Sequence, residues 1–285
     1  MKSKLLSLPA LAVTALLGLA LPTQGQISLV NTFDSGNLTS TNNAGNTGTN
    51  DSFSTTYDNM GANYMAVVLT VVSVNNLNLP SNGTGVSVTF AGTPVTIASA
   101  FDSGYSNNSF WSAIYLLESP AAGSGTFDFN FNANITDPAD DATSSWRLGI
   151  FSLDGVDLSN PVLVTDLMST GGETYSDPAL SAGDFFIQGQ AAFNTIGAPN
   201  YQTPEDSAQL LYDAQSVNGT RTYQAEFGTL VAGDVVGDSV LFDPKGTTTR
   251  GSARRPTVIF NAIPEPTSAA LLFGAVGLLA LRRRR

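Results

Sequence analysis

The sequence predicts an all-β fold, an antiparallel β-sandwich of jelly-roll-like type, flanked by an N-terminal signal helix and a short C-terminal transmembrane helix. Three observations over its 285 residues lead there. Residues 27–262 interleave short apolar runs with Asn, Thr, Ser, Gly and Asp, the composition of strands joined by turns. Apolar residues recur there at every second position, or in runs too short for a buried helix. No interior stretch carries a helical period with caps, apart from one short turn beginning at Pro204-Glu205-Asp206.

Taken along the chain, residues 39–54 are Asn-, Thr- and Gly-rich and read as a polar loop. The run 64–74 is almost continuously apolar, as are 110–117 and 147–153, which suits strands covered on both faces. Val86, Val88 and Phe90 alternate with Ser87 and Thr89; Phe127, Phe129 and Phe131 alternate with Asp128, Asn130 and Asn132. That period of two marks strands with one buried face. Breaks at 81–85, 91–92, 122–125 and 218–219 supply turns, and further strands are expected at 184–193, 209–215, 222–227 and 256–261. With no helices to cross between parallel strands, these elements pack as two antiparallel sheets in one domain.

The two ends differ from this body. Only 12 residues are Lys or Arg, and Lys2, Lys4 and Arg282, Arg283, Arg284 and Arg285 supply six of them. Residues 1–4 form a positive n-region, 5–21 are dominated by Leu and Ala, and Thr23 and Gly25 put small residues at −3 and −1 before Gln26. This is a secretory signal peptide by layout, with cleavage between Gly25 and Gln26. The far end reads Pro264-Glu265-Pro266, an apolar run over 269–281 and the four arginines. Thirteen helical residues span about 20 Å against a ~30 Å hydrocarbon core, so the segment suits a transient span oriented by its Arg cluster. The chain therefore divides into a signal peptide (1–25), a β-sandwich domain (26–262) and a C-terminal signal (263–285).

Pro264-Glu265-Pro266, a short apolar helix and a terminal Arg cluster, in that order, resemble the PEP-CTERM sorting signal of diderm bacteria that secrete exopolysaccharide. The resemblance implies recognition of the Pro-Glu-Pro motif by exosortase, an integral-membrane transpeptidase, which removes the helix and Arg cluster. It implies signal peptidase and exosortase as processing partners, transient anchoring in the inner membrane, and a destination at the cell surface or in the extracellular matrix. Physically, the apolar segment holds the chain at the bilayer, while the two prolines keep the motif extended and out of the helix. A second resemblance covers the middle of the body. Val86 to Gly92, Ala113 to Leu117, Gly125 to Phe129 and Phe151 to Asp157 look like the successive strands of bacterial secreted β-sandwich modules. It implies a concanavalin-like or carbohydrate-binding architecture and brings no catalytic residues.

Composition excludes much chemistry. There is no His and no Cys, hence no Ser-His-Asp triad, Cys nucleophile, disulfide, or zinc, haem or iron–sulfur site of the usual His/Cys type. The formal net charge is −11, and without the two ends the body carries six basic against 22 acidic side chains, a net of −16. So acidic a body does not suit nucleic acid, whose phosphates are bound by clustered Lys and Arg. Carboxylates remain for an enzyme, and Glu118 follows the aromatic strand of Trp111 and Tyr115, although a Glu at a strand end before Pro120 is ordinarily solvated. Asp137, Asp140 and Asp141 share one loop and are the candidate calcium ligands, against the ordinary role of Asp in turns; no other cofactor is expected. Trp111, Trp146, Tyr105, Tyr201 and Tyr212 are the candidate sugar-stacking residues, against core packing. Arg250, Arg254 and Arg255 form a small basic patch read as solvated.

The function expected is a non-enzymatic surface or matrix protein that binds or embeds in extracellular polysaccharide. A carboxylate-dependent polysaccharide hydrolase or lyase, and a protein-binding adhesin or structural module, are the alternatives.

Overall fold

A computed structural model describes residues 25–41, 52–73, 86–102, 110–131, 143–168, 173–193, 202–203, 209–215, 221–244 and 255–263. The chain divides into two units, Gln26–Ala262 and a second made of Met1–Gly25 with Ile263–Arg285. In the second unit the Gly25 N–H donates to the Ile263 carbonyl at 2.9 Å.

The Gln26–Ala262 unit contains β1 (Ser28–Asp34), β2 (Leu38–Thr41), β3 (Ser52–Asp58), β4 (Tyr64–Ser73), β5 (Val86–Phe90), β6 (Thr93–Pro94), β7 (Thr96–Asp102), β8 (Phe110–Glu118), β9 (Ser124–Phe131) and β10 (Thr143–Asp154). It continues with β11 (Val162–Met168), β12 (Glu173–Ser176), β13 (Phe185–Phe193), β14 (Gln202–Thr203), β15 (Gln209–Gln215), β16 (Arg221–Thr229), β17 (Val235–Val236), β18 (Ser239–Pro244) and β19 (Arg255–Phe260). Among the described residues there is no helix, and every pair of named strands is antiparallel.

The largest sheet runs β1-β10-β4-β8-β7, with β2 also paired to β10. It is the middle of the unit, because its central strands bury both faces. From β4, Met65, Val67, Leu69 and Val71 enter one core; Tyr64, Ala66 and Val68 enter the other. Strand β8 divides in the same way, Trp111, Ala113, Tyr115 and Leu117 against Ile114 and Leu116. The first core is closed by the sheet β3-β9-β5-β6 through Tyr57, Val86, Val88, Phe90, Phe127 and Phe129. The second is closed by β11-β19-β13-β16-β15 through Phe185, Ile187, Ala225, Phe227, Val258 and Phe260. A small sheet, β12-β18-β14 with β17 on β18, covers Phe186 and Ile259 on the far side of that second sheet.

The all-β class is thus what the composition predicts, but the expected pair of sheets is instead three layers and a partial fourth. The continuously apolar runs at 64–73, 110–117 and 147–153 supply the middle layer, whose central strands are covered on both faces. The expected polar loop 39–54 is corrected at both ends: Thr39 pairs with Ser145 in β2, and Ser52 with Asn130 in β3. Half-exposed strands rich in Ser and Thr resemble loops in composition, and their pairing comes from partners 66 or more residues away. The helical turn expected at 204–206 lies outside the described residues.

Candidate functional site

The outward face of β3, β9 and β5 is the polar surface best placed to meet a partner. Phe53, Tyr57, Phe127, Phe129, Val88 and Phe90 turn inward, so the period of two turns Ser52, Ser54, Thr56, Thr126, Asp128, Asn130, Ser87 and Thr89 outward. Register aligns them in rows across the sheet. Asn130 stands between Ser52 and Ser87, Asp128 between Ser54 and Thr89, and Thr126 opposite Thr56. Rows lie about 6.8 Å apart and neighbours within a row about 4.8 Å apart, the two spacings of a sheet. Ser52, Ser54, Thr56, Ser87, Thr126 and Asn130 are exposed, while Asp128 and Thr89 are half-buried. The Ser54 hydroxyl donates to Asp128 Oδ1 at 2.6 Å, and at the end of the face the Ser124 hydroxyl donates to Asp58 Oδ2 at 3.2 Å. No Lys, Arg or large apolar side chain stands on these rows. Behind the face the buried Tyr57 hydroxyl meets Ser152 Oγ at 2.7 Å, and burial raises its pKa to about 12.

Both junctions of the body lie together beside one turn. Ile27 and Ala262 are buried in the second core, Val156 bridges to Ala262, and Gly155 turns at φ +85° beside the Gln26 carbonyl. Asp184 fastens the Ala262 end: its Oδ1 accepts from the Ala262 N–H at 3.2 Å and its Oδ2 from the Ser181 N–H at 2.7 Å. Burial pushes this carboxyl up to about 6, against the two backbone donors, which lower it.

A second polar array is sealed. On the outer face of the second sheet, Gln188 pairs with Glu226 and with Thr257, and Gln190 pairs with Gln224. All five side chains and Arg255 are buried. Gln188 Nε2 donates to Thr257 Oγ1 at 2.7 Å, but the side-chain amides of Gln190 and Gln224 lack hydrogen-bond partners among the described residues. The expectation that Arg255 is solvated is therefore corrected, since it stands on a central strand under cover. Arg250 and Arg254 lie outside the described residues.

The aromatic expectations are corrected where the structure describes them. Trp111, Trp146 and Tyr212 are 1%, 3% and 3% exposed and offer no ring face to a sugar. Trp146 stacks on Phe129 at 5.2 Å, and the Tyr212 hydroxyl meets Thr70 Oγ1 at 3.0 Å under the Arg147 guanidinium, 4.6 Å from the ring. A stack with two cores has two interiors to fill, and large rings bury the most area in each. Glu118 is exposed at the end of β8, paired to Tyr64 of β4, while the ladder to β7 stops at Leu116, so it is the solvated strand-end residue expected. Asp157 serves its turn, accepting from Ser159 N at 2.9 Å and Ser159 Oγ at 2.7 Å. Tyr105, Tyr201, Asp137, Asp140, Asp141, Pro264, Glu265, Pro266 and Arg282 to Arg285 lie outside the described residues. Among the described residues no group of three acids is placed to hold a metal ion.

Sequence reasoning overlooked the hydroxyl face, although Ser87, Thr89, Asp128 and Asn130 were visible as the polar phase of two alternating strands. It also overlooked the ion pair between Arg147 and Asp34, whose partners lie 113 residues apart.

No family model and no curated protein matches the chain. A solved structure, the crystal structure of PBCV-1 VP54 fitted into a cryo-EM reconstruction of the virophage Sputnik, aligns over 87% of this chain and 88% of that one. At 10% identity and a TM-score of 0.27 this likeness carries no argument about fold or function.

Proposed function

We propose that this is an exported, non-enzymatic surface or matrix protein whose layered all-β body binds or embeds in extracellular polysaccharide. Its ends act as address labels: a signal helix removed after Gly25, and a PEP-CTERM tail handled by exosortase that anchors the precursor transiently in the inner membrane. The observation that carries the binding reading is the polar outward face of β3, β9 and β5, with its side chains in register. Its short hydroxyl, amide and carboxylate side chains have little rotamer freedom to lose and present donors and acceptors in rows. A polyhydroxylated chain complements such rows. Polyanions find no cation there, and a hydrophobic partner finds no apolar patch.

The test is a glycan array with reducing-sugar release, using the 26–262 fragment, whose three cores are all internal. Binding without release is expected, and so is loss of binding in a Ser54→Lys, Thr126→Lys variant that melts like the parent. Turnover would replace this reading by the hydrolase or lyase alternative, and silence in both assays by the structural one. For sorting, a Pro264→Ala, Glu265→Ala chain should accumulate in the membrane fraction of its native host with its tail attached.

A further inference from the structure

We propose that Gln26 of the exported chain is a modification site, where the new N-terminus closes on its own side chain to a pyroglutamyl lactam. The inference rests on the reading that cleavage follows Gly25. The structure makes Gln26 a fixed end. Ile27 is buried to 1% in the second core, and the ladder to β10 begins with Ser28 opposite Asp154. The Gln26 carbonyl packs over the Gly155 turn, 3.2 Å from where a Cβ on that glycine would stand. Removing Gln26 would place a charged N-terminus on the buried Ile27, so Gln26 stays terminal once exposed by cleavage.

The side chain is free to react. Gln26 is exposed, and among the described residues no hydrogen bond holds its amide. It stands at the rim of a cleft of about 470 Å³ lined by Ile27, Leu29, Phe185 and Phe227 together with Gln209 and Thr229, and none of the described lining residues is a carboxylate. A terminal ammonium has no acidic partner among those residues, and a neutral lactam avoids holding a charge beside the buried rings of Phe185 and Phe227. The step balances within one residue. The α-amine nitrogen attacks Cδ of the carboxamide, the N–Cδ bond forms, the Cδ–Nε2 bond breaks, and Nε2 leaves as ammonia with the proton shed by the amine. No oxidant or co-reactant is needed, and the N-terminus loses its positive charge.

The experiment uses the full precursor exported by its native host, with free amines labelled at harvest so that cyclisation during work-up is not counted. Mass spectrometry of the N-terminal peptide should show a chain beginning at residue 26, unlabelled at its N-terminus and lighter by one ammonia, about 17 Da. Pyroglutamyl peptidase should then expose Ile27. A Gln26→Ala chain should instead carry the label at its N-terminus. A peptide beginning at Gln26 with full mass and a labelled amine overturns the modification and leaves the cleavage reading standing. A peptide beginning elsewhere overturns both.

Discussion

Gly189 tests the layered architecture most directly. It lies on β13 where the second sheet meets the middle one, and a Cβ there would stand 2.7 Å from Ser112 Oγ on β8 and 2.7 Å from Val68 Cγ1 on β4. Both neighbours are buried, at 1% and 0% exposure, and belong to the backbone-braced centre of the middle sheet, where Ser112 Oγ also donates to the Leu69 carbonyl at 3.2 Å. Ordinary contact begins near 3.4 Å, so Gly189→Ala requires the two sheets to part by more than half an ångström. Overpacking of this kind costs about 1–3 kcal/mol, against a gain of about 0.4–1 kcal/mol from a stiffer unfolded chain. A net loss of about 1–2 kcal/mol corresponds to a fall in Tm of roughly 2–8 °C for a domain of this size. Gly149→Ala is the internal comparison: its closest contact, 2.6 Å, is to Leu211 Cδ2, the far end of a flexible side chain that can turn aside. Urea denaturation of the 26–262 fragment should therefore rank Gly189→Ala well below Gly149→Ala. Equal midpoints, or a Gly189→Ala midpoint at or above the parent, would refute the close approach of the two sheets.

Other outcomes follow from the buried polar groups. Converting Gln190 and Gln224 together to Met removes two unpaired buried amides at nearly constant shape and should raise stability by about 2 kcal/mol, measured by the same denaturation; an unchanged midpoint would mean that the amides are satisfied. Asn59→Ala should destabilise by about 2–3 kcal/mol, because Asn59 donates to the Ala121 carbonyl and accepts from the Gly61 and Gly123 N–H groups, tying two turns together. Asp184 should titrate near pH 6, seen as a midpoint in the Ala262 amide chemical shift. Its folded pKa lies above the ordinary carboxylate value of about 3.8, so the stability linked to it is full below about pH 4 and is lost as pH rises through about 6. A shift midpoint near 4 would contradict the burial of that carboxyl.

Much of the fold is legible in sequence wherever a strand's own residues report its surroundings. Residues 64–74 and 147–153 are apolar at consecutive positions because both faces of β4 and β10 are covered, and 86–90 and 127–131 alternate because one face is not. Strands β2, β3, β12 and β18 escape notice because short, half-exposed strands carry Ser, Thr and Asp in the same proportions as loops. Their identity depends on distant partners such as Asn130 for Ser52 and Phe242 for Glu173. The candidate site divides in the same way. Trp111, Trp146 and Tyr212 are visible as aromatics, but aromatic rings serve cores and sugars alike, and burial alone separates the two uses.

By itself the sequence determines the all-β class, the acidic and His- and Cys-free chemistry, and the two basic, apolar ends, because composition and period are local properties of the chain. Tertiary structure alone decides that the middle sheet is covered on both faces and that Ser54, Asp128 and Thr89 share a row. It also decides that residues 27 and 262 meet at the Gly155 turn. Each of these depends on which strands pair and in what register, and pairing is set by contacts between residues far apart in the chain.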